Sequence, residues 1–70
     1  MLKPEEIRVD TGRCVGGTFI RVVHVPTGIS KEQAPIGGRS GGEVVRQFSR
    51  EIESELVARG LTQYIVPDAH

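Results

Sequence analysis

The residues best suited to bind a ligand form a glycine-rich stretch at positions 36–42, which reads IGGRSGG. This stretch precedes a predicted helix, and the free N–H groups and dipole of a helix start attract anions. Gly38 and Gly41 would let a phosphate approach the backbone, while Arg39 and Ser40 would add a forked cation and a hydroxyl. No Lys-Ser or Lys-Thr pair follows the last glycine, so the stretch is not a P-loop. The alternative is a flexible connector after an edge strand.

A second glycine-rich stretch, GRCVGGT, occupies residues 12–18. Its arginine, Arg13, and its paired glycines, Gly16 and Gly17, make it a second candidate binding loop. The alternative is a tight link between neighbouring strands, because glycine is the usual residue of such turns.

The other reactive side chains do not form a catalytic or metal-binding pattern. His24 ends a predicted strand without an evident proton donor or orienting partner, so a structural role is favoured. Cys14, His24, His70 and Asp10 lack the ligand spacing of a zinc site. We therefore predict no catalytic residue, no metal and no cofactor.

Length and charge limit the class of protein. Seventy residues make a single domain, 1–70, and nine basic residues balance nine acidic ones. A free-standing nucleic-acid binder usually has a basic excess, so the zero net charge disfavours strong autonomous binding. A single cysteine fits a reducing compartment, no apolar run approaches the ~20 residues of a membrane span, and the N-terminus lacks the apolar core of a signal peptide. These features predict a cytoplasmic protein without a membrane partner.

Hydrophobic periodicity predicts a small antiparallel sheet. Residues 7–10 alternate apolar and charged side chains, as a half-covered strand does, and the three glycines of residues 11–17 are expected to break that strand. Residues 18–25 form the best strand, with Ile20 and Val22 expected against a helix. Pro26, Thr27 and Gly28 predict a type II turn into a third strand over residues 29–33.

The sequence pattern predicts one helix over residues 43–59. Five apolar side chains recur at steps of three and four: Val44, Val45, Phe48, Ile52 and Leu56. Ser40 or a nearby glycine is the expected N-cap, and Gly60 is the expected stop. The charged residues of the helix predict a solvated face whose acidic cluster would repel nucleic acid: Arg46, Arg50, Glu51, Glu53 and Glu55.

The predicted fold class is α+β, with the helix packed on one face of the sheet. The sheet has three strands, or four if residues 62–66 add another. Residues 1–4 and 67–70 are expected to be loose.

These motifs together resemble the catalytic domain of class I peptide chain release factors, a short sheet and helix carrying a Gly-Gly-Gln loop. The resemblance rests on residues 7–11 (IRVDT), on Arg13, on Arg39-Ser40 and, almost residue for residue, on residues 20–29 (IRVVHVPTGI). It covers residues 5–61. It implies peptidyl-tRNA ester hydrolysis on the ribosome by a water that the loop glutamine helps to place.

The chain departs from that family at the residue that serves the chemistry. Thr18 stands where the glutamine is expected after Gly16 and Gly17, and the loop is shorter. Gly41 replaces the glutamine of an Arg-Ser-Gln motif, and residues 42–45 replace a basic run that meets RNA. The domains that read stop codons have no counterpart.

The sequence therefore predicts a non-catalytic release-factor-like domain that binds the ribosome or another RNA. Its expected contacts are Arg13, Gly16, Gly17, Arg21, Gly38, Arg39, Ser40 and Gly41. One alternative is a protein–protein interaction module with no role for RNA, using a sheet edge near Pro35 or a sheet face. Another is peptidyl-tRNA hydrolysis by an atypical loop. The oligomeric state is left open.

Overall fold

The computed structural model describes residues 1–67 and has the predicted α+β fold. Three antiparallel strands lie in the order β1-β2-β3, and one helix packs on β2 and β3. The elements are a 3₁₀ turn at Pro4–Glu6, β1 at Ile7–Cys14, β2 at Gly17–His24, β3 at Ile29–Gln33, α1 at Gly41–Ala58 and a second 3₁₀ turn at Thr62–Tyr64.

The first hairpin corrects the prediction that the glycines of residues 11–17 break the strand. β1 stays paired with β2 as far as Cys14 opposite Gly17, and only two residues form the turn. Gly12 sits inside the strand because the ring of Phe19 covers it: a Cβ at Gly12 would lie 2.7 Å from Phe19 Cε1. Gly16 makes the turn with φ of 91°, a left-handed conformation that glycine adopts without steric cost.

The second hairpin confirms the third strand but not the exact turn. The carbonyl of His24 accepts hydrogen bonds from the N–H groups of Thr27 (3.3 Å) and Gly28 (2.8 Å). The loop therefore spans four residues, 25–28, between the paired residues His24 and Ile29, rather than a simple type II turn. Gly28 has the positive φ predicted for it, 74°.

The helix covers one face of the sheet as predicted. Ile20 and Val22 are buried beneath it, and so are Val44, Phe48, Ile52 and Leu56 from its apolar stripe. Full burial of such side chains stabilises the fold by roughly 1.5–3 kcal/mol each.

The helix has the predicted kind of start, a side-chain cap, and the predicted glycine at its end. Ser40 Oγ accepts a hydrogen bond from the N–H of Glu43, 3.2 Å away. At the other end, Gly60 has φ of 74°, and its N–H and that of Leu61 donate to the carbonyls of Val57 and Leu56. This pair of backbone hydrogen bonds is a Schellman motif. The helix starts two residues earlier than predicted, because the cap acts from Ser40.

The chain ends differ from the prediction. Residues 62–66 do not form a fourth strand, since Thr62–Tyr64 is a 3₁₀ turn and Ile65 makes only an isolated bridge with Leu2. That bridge places Leu2 in the core, 7% exposed, although residues 1–4 were predicted to be loose. Of the predicted loose C-terminus, residues 68–70 lie outside the described residues. No helix within residues 1–67 has the length and apolar character needed to cross a bilayer.

Candidate functional site

Arg39 is held beside the start of α1 by neutral groups. One guanidinium nitrogen lies 3.5 Å from Gln33 Oε1 on β3, and the other donates to Gln47 Oε1 on the helix. Amide oxygens orient a guanidinium without neutralising it. Arg39 is therefore oriented by two neutral acceptors and forms no ion pair within residues 1–67.

The first turn of α1 offers free backbone donors next to Arg39. The first intrahelical bond runs from the N–H of Val44 to the carbonyl of Ser40, and the Ser40 hydroxyl caps Glu43. The N–H groups of Gly41 and Gly42 have no partner within residues 1–67. Gly41 lies close over the sheet, because its Cβ position is 3.4 Å from Ile20 Cδ1.

Two further arginines lie on the exposed side of the helix, beside Gln47, the hydrogen-bond partner of Arg39. Arg46 and Arg50 lie one turn apart, and no carboxylate of the described chain is within 4.0 Å of either. With Glu43 and Gln47 they line a shallow depression of about 290 Å³. We call Arg39, Arg46 and Arg50 the arginine surface.

Two of the four acidic residues of the helix, Glu53 and Glu55, form ion pairs, so the predicted acidic cluster is partly neutralised. Glu55 pairs with Arg59 at 2.8 Å and with Lys31 at 3.8 Å, and Glu53 binds the N-terminal amine. Glu51 accepts a hydrogen bond of 2.8 Å from the Gln47 amide. Glu53 and Glu55 are thus paired with cations, whereas Arg46 and Arg50 have no carboxylate partner within 4.0 Å among residues 1–67.

The structure brings most of the predicted binding residues to one end of the domain. The tip of the first hairpin, with Gly16 and Gly17, lies against Pro35, whose ring carbons are 3.4 Å from the Cβ position of each glycine. The N–H of Ile36 donates to the carbonyl of Thr18 at 2.9 Å. The tip is thereby joined to the loop that carries Gly38, Arg39, Ser40 and Gly41.

Arg13 and Arg21 occupy different surroundings. Arg13 is exposed on β1 opposite Thr18, near the hairpin tip. Arg21 neighbours buried Ile20 and Val22 on β2, so its side chain points to the other face of the sheet. There Arg21 lies 3.7 Å from Asp10, on the face of the sheet opposite to the helix.

His24 is buried, in keeping with a structural role. Its Nδ1 lies 2.8 Å from Thr27 Oγ1, its ring meets Tyr64 edge to face at 5.1 Å, and Nε2 lies 3.7 Å from Glu6 Oε1. Thr27 Oγ1 also lies 3.4 Å from the N–H of Ile29. The histidine thus links the second hairpin to both 3₁₀ turns.

Arg46 and Arg50 are the candidate binding residues that the sequence reasoning overlooked. The sequence signal was weak: neither has a Glu or Asp four residues away, but each has a glutamate three residues away, a spacing that also allows a helical ion pair. Among residues 1–67 no group of three or more His, Cys, Asp or Glu side chains is arranged to hold a metal ion.

No protein-family model, no curated protein and no solved structure matches this chain.

Proposed function

We propose that this chain is a non-catalytic release-factor-like domain that binds RNA phosphates, with ribosomal RNA as the expected partner. The observation that carries the proposal is the arginine surface, because none of its three guanidinium groups has a carboxylate oxygen within 4.0 Å among residues 1–67. Unpaired arginines bind phosphate at less cost than paired ones, because no existing ion pair must first be broken.

The expected binding mode combines the arginine surface with the start of the helix. Arg39 is already oriented by Gln33 and Gln47, so little side-chain entropy is lost when it meets a phosphate. The free N–H groups of Gly41 and Gly42 and the positive end of the helix dipole favour the same anion. Glu43 and Glu51 keep the local charge excess small, which predicts moderate affinity.

The short first hairpin supports binding rather than ester hydrolysis. Thr18, at the position of the glutamine in the resembling family, lies within β2, and its carbonyl is bonded to Ile36. The turn before it has two residues and rests on Pro35. A side chain in this setting cannot extend on a long loop toward a distant ester, and hydrolysis requires a precisely positioned water.

A protein-interaction module is the second candidate. The zero net charge and the uncovered edges of the three-stranded sheet favour it. The two candidates differ in salt dependence, because phosphate contacts release counterions and weaken steeply as salt rises, whereas an apolar interface does not.

Co-sedimentation with ribosomes at low and moderate salt tests the proposal. We expect the wild-type domain to sediment with ribosomes at low salt, and Arg46→Gln/Arg50→Gln to lose most of that binding. The matched control is Lys31→Gln/Arg59→Gln, which removes the same charge from residues already paired with Glu55. Equal losses in the two variants, or wild-type binding that is insensitive to salt, would refute a specific role for the arginine surface.

A further inference from the structure

We propose that the free edge of β1 pairs antiparallel with β1 of a second copy of this chain, which makes one continuous six-stranded sheet. This inference does not depend on RNA binding. β1 is eight residues long and pairs with β2 along its whole length without a bulge or a proline. Such a long, regular edge is a template for another strand.

The hydrogen-bond pattern identifies which backbone groups are free. The N–H of Val25 donates to the carbonyl of Glu6, and the N–H of Ile36 donates to the carbonyl of Thr18. These two bonds show that the backbone N–H and C=O groups of even-numbered residues of β1 point toward β2. Backbone groups alternate in direction along a strand, so those of Val9, Thr11 and Arg13 point outward. No residue among 1–67 pairs with that side of β1.

Charge favours one register over its two neighbours. In the favoured register Asp10, already 3.2 Å from Arg8 of its own strand, gains another arginine from the other copy. If Val9 lies opposite Val9 of the second copy, Arg8 lies opposite Asp10 of that copy, and Asp10 opposite its Arg8. Shifting the second strand by two residues in either direction places Arg8 opposite Arg8 or Asp10 opposite Asp10. Cross-strand pairs of opposite charge stabilise a sheet by roughly 0.2–1 kcal/mol each, and like charges destabilise it. The strand is therefore self-complementary in the register centred on Val9.

The position of the helix leaves room for the second copy. α1 packs on β2 and β3, so Val9 of β1 is 43% exposed although it points to the same face of the sheet as buried Val22, its partner in the register. The two-fold axis of the proposed dimer passes between the two Val9 residues, perpendicular to the sheet. Both helices then lie on one side of the sheet, and the two valines are covered in the groove between them.

The opposite edge is less suited to this pairing. β3 has only five residues and is followed by Pro35, which lacks an N–H group. Only Ser30 and Glu32 turn their backbone groups outward there, because Ile29, Lys31 and Gln33 bond to β2.

Complementary charge reversals test the dimer. Sedimentation velocity of the wild-type domain should show an increase toward twice the 7.6 kDa monomer mass as concentration rises. Arg8→Asp and Asp10→Arg should each be monomeric, because each places like charges across the two-fold axis. An equimolar mixture of the two should dimerise again, since every Arg–Asp pair is restored between unlike chains. A monomeric wild type at all soluble concentrations, or a mixture that stays monomeric, would overturn the proposal.

Cross-linking tests the register separately. Cα atoms of a hydrogen-bonded antiparallel pair are about 5.5 Å apart, which a disulfide spans. In a Cys14→Ser background, Val9→Cys should therefore oxidise to a covalent dimer. The control is Val25→Cys, an equally accessible valine (60% exposed) in the second hairpin loop. Dimer yields that are the same for both cysteines would also overturn the proposal.

Discussion

The arginine surface makes a quantitative prediction about salt. Replacing Arg46 and Arg50 by glutamine removes two of its three guanidinium groups while keeping uncharged, hydrogen-bonding side chains, which are shorter than arginine. Both residues are exposed and have no carboxylate partner among residues 1–67, so their loss should leave the fold intact. A change in the RNA affinity of this variant would therefore report the loss of phosphate contacts by these two arginines.

The expected effect of salt on RNA affinity follows from counterion release. A single-stranded nucleic acid gives a slope of log K against log salt of about −0.7 for each phosphate neutralised. Three arginines predict a slope of about −2, which is a fall of about 20-fold in affinity between 50 and 200 mM salt. With Arg39 alone the slope should be about −0.7, and the same change in salt should cost only about 3-fold.

Fluorescence anisotropy of a labelled single-stranded RNA, titrated at four or more salt concentrations, measures these slopes directly. Circular dichroism of each variant checks that the helix is intact. Lys31→Gln/Arg59→Gln should keep the wild-type slope, because both residues are occupied by Glu55. A double arginine variant with an unchanged slope would show that the phosphate contacts lie elsewhere.

Three further predictions concern the fold and the absence of hydrolysis. Ile52→Ala, at a fully buried position, should lower the free energy of unfolding, measured with urea, by about 2–5 kcal/mol. Val57→Ala, on the exposed side of the same helix, should change that free energy by under about 0.5 kcal/mol. Similar losses in the two variants would contradict the burial of this side of the helix against the sheet. Gly60→Ala should cost about 1 kcal/mol in the same assay because φ is 74°, and a neutral result would argue against the Schellman stop. The purified domain should not release peptide from peptidyl-tRNA on ribosomes, and turnover that disappears in Gly17→Ala would contradict a non-catalytic role.

Local sequence was sufficient for the helix and its ends. The spacing of Val44, Phe48, Ile52 and Leu56 determines which side of any helix here must be buried, and Ser40 and Gly60 act on their nearest backbone neighbours. These effects need no knowledge of distant residues, which is why the predictions were confirmed.

The glycines of the first hairpin show where local reasoning was insufficient. Gly12 reads as a strand breaker, yet it lies within β1 because the ring of Phe19 on β2 occupies the space of its side chain. Only the pairing of the two strands reveals that close approach. Leu2 is a similar case, since its burial depends on Ile65 at the other end of the chain.

Some features of the candidate site likewise follow from local sequence, and others depend on the tertiary structure. The sequence by itself determined that Arg39 and Ser40 precede a helix start, because capping and the helix dipole are local properties. Only the tertiary structure decided which charges are free: Lys31 reaches Glu55 across the helix–sheet contact, the N-terminal amine reaches Glu53, and Arg21 lies on the far face. Ion pairing depends on distances between residues remote in sequence, so equal numbers of acids and bases could not reveal an unpaired arginine surface.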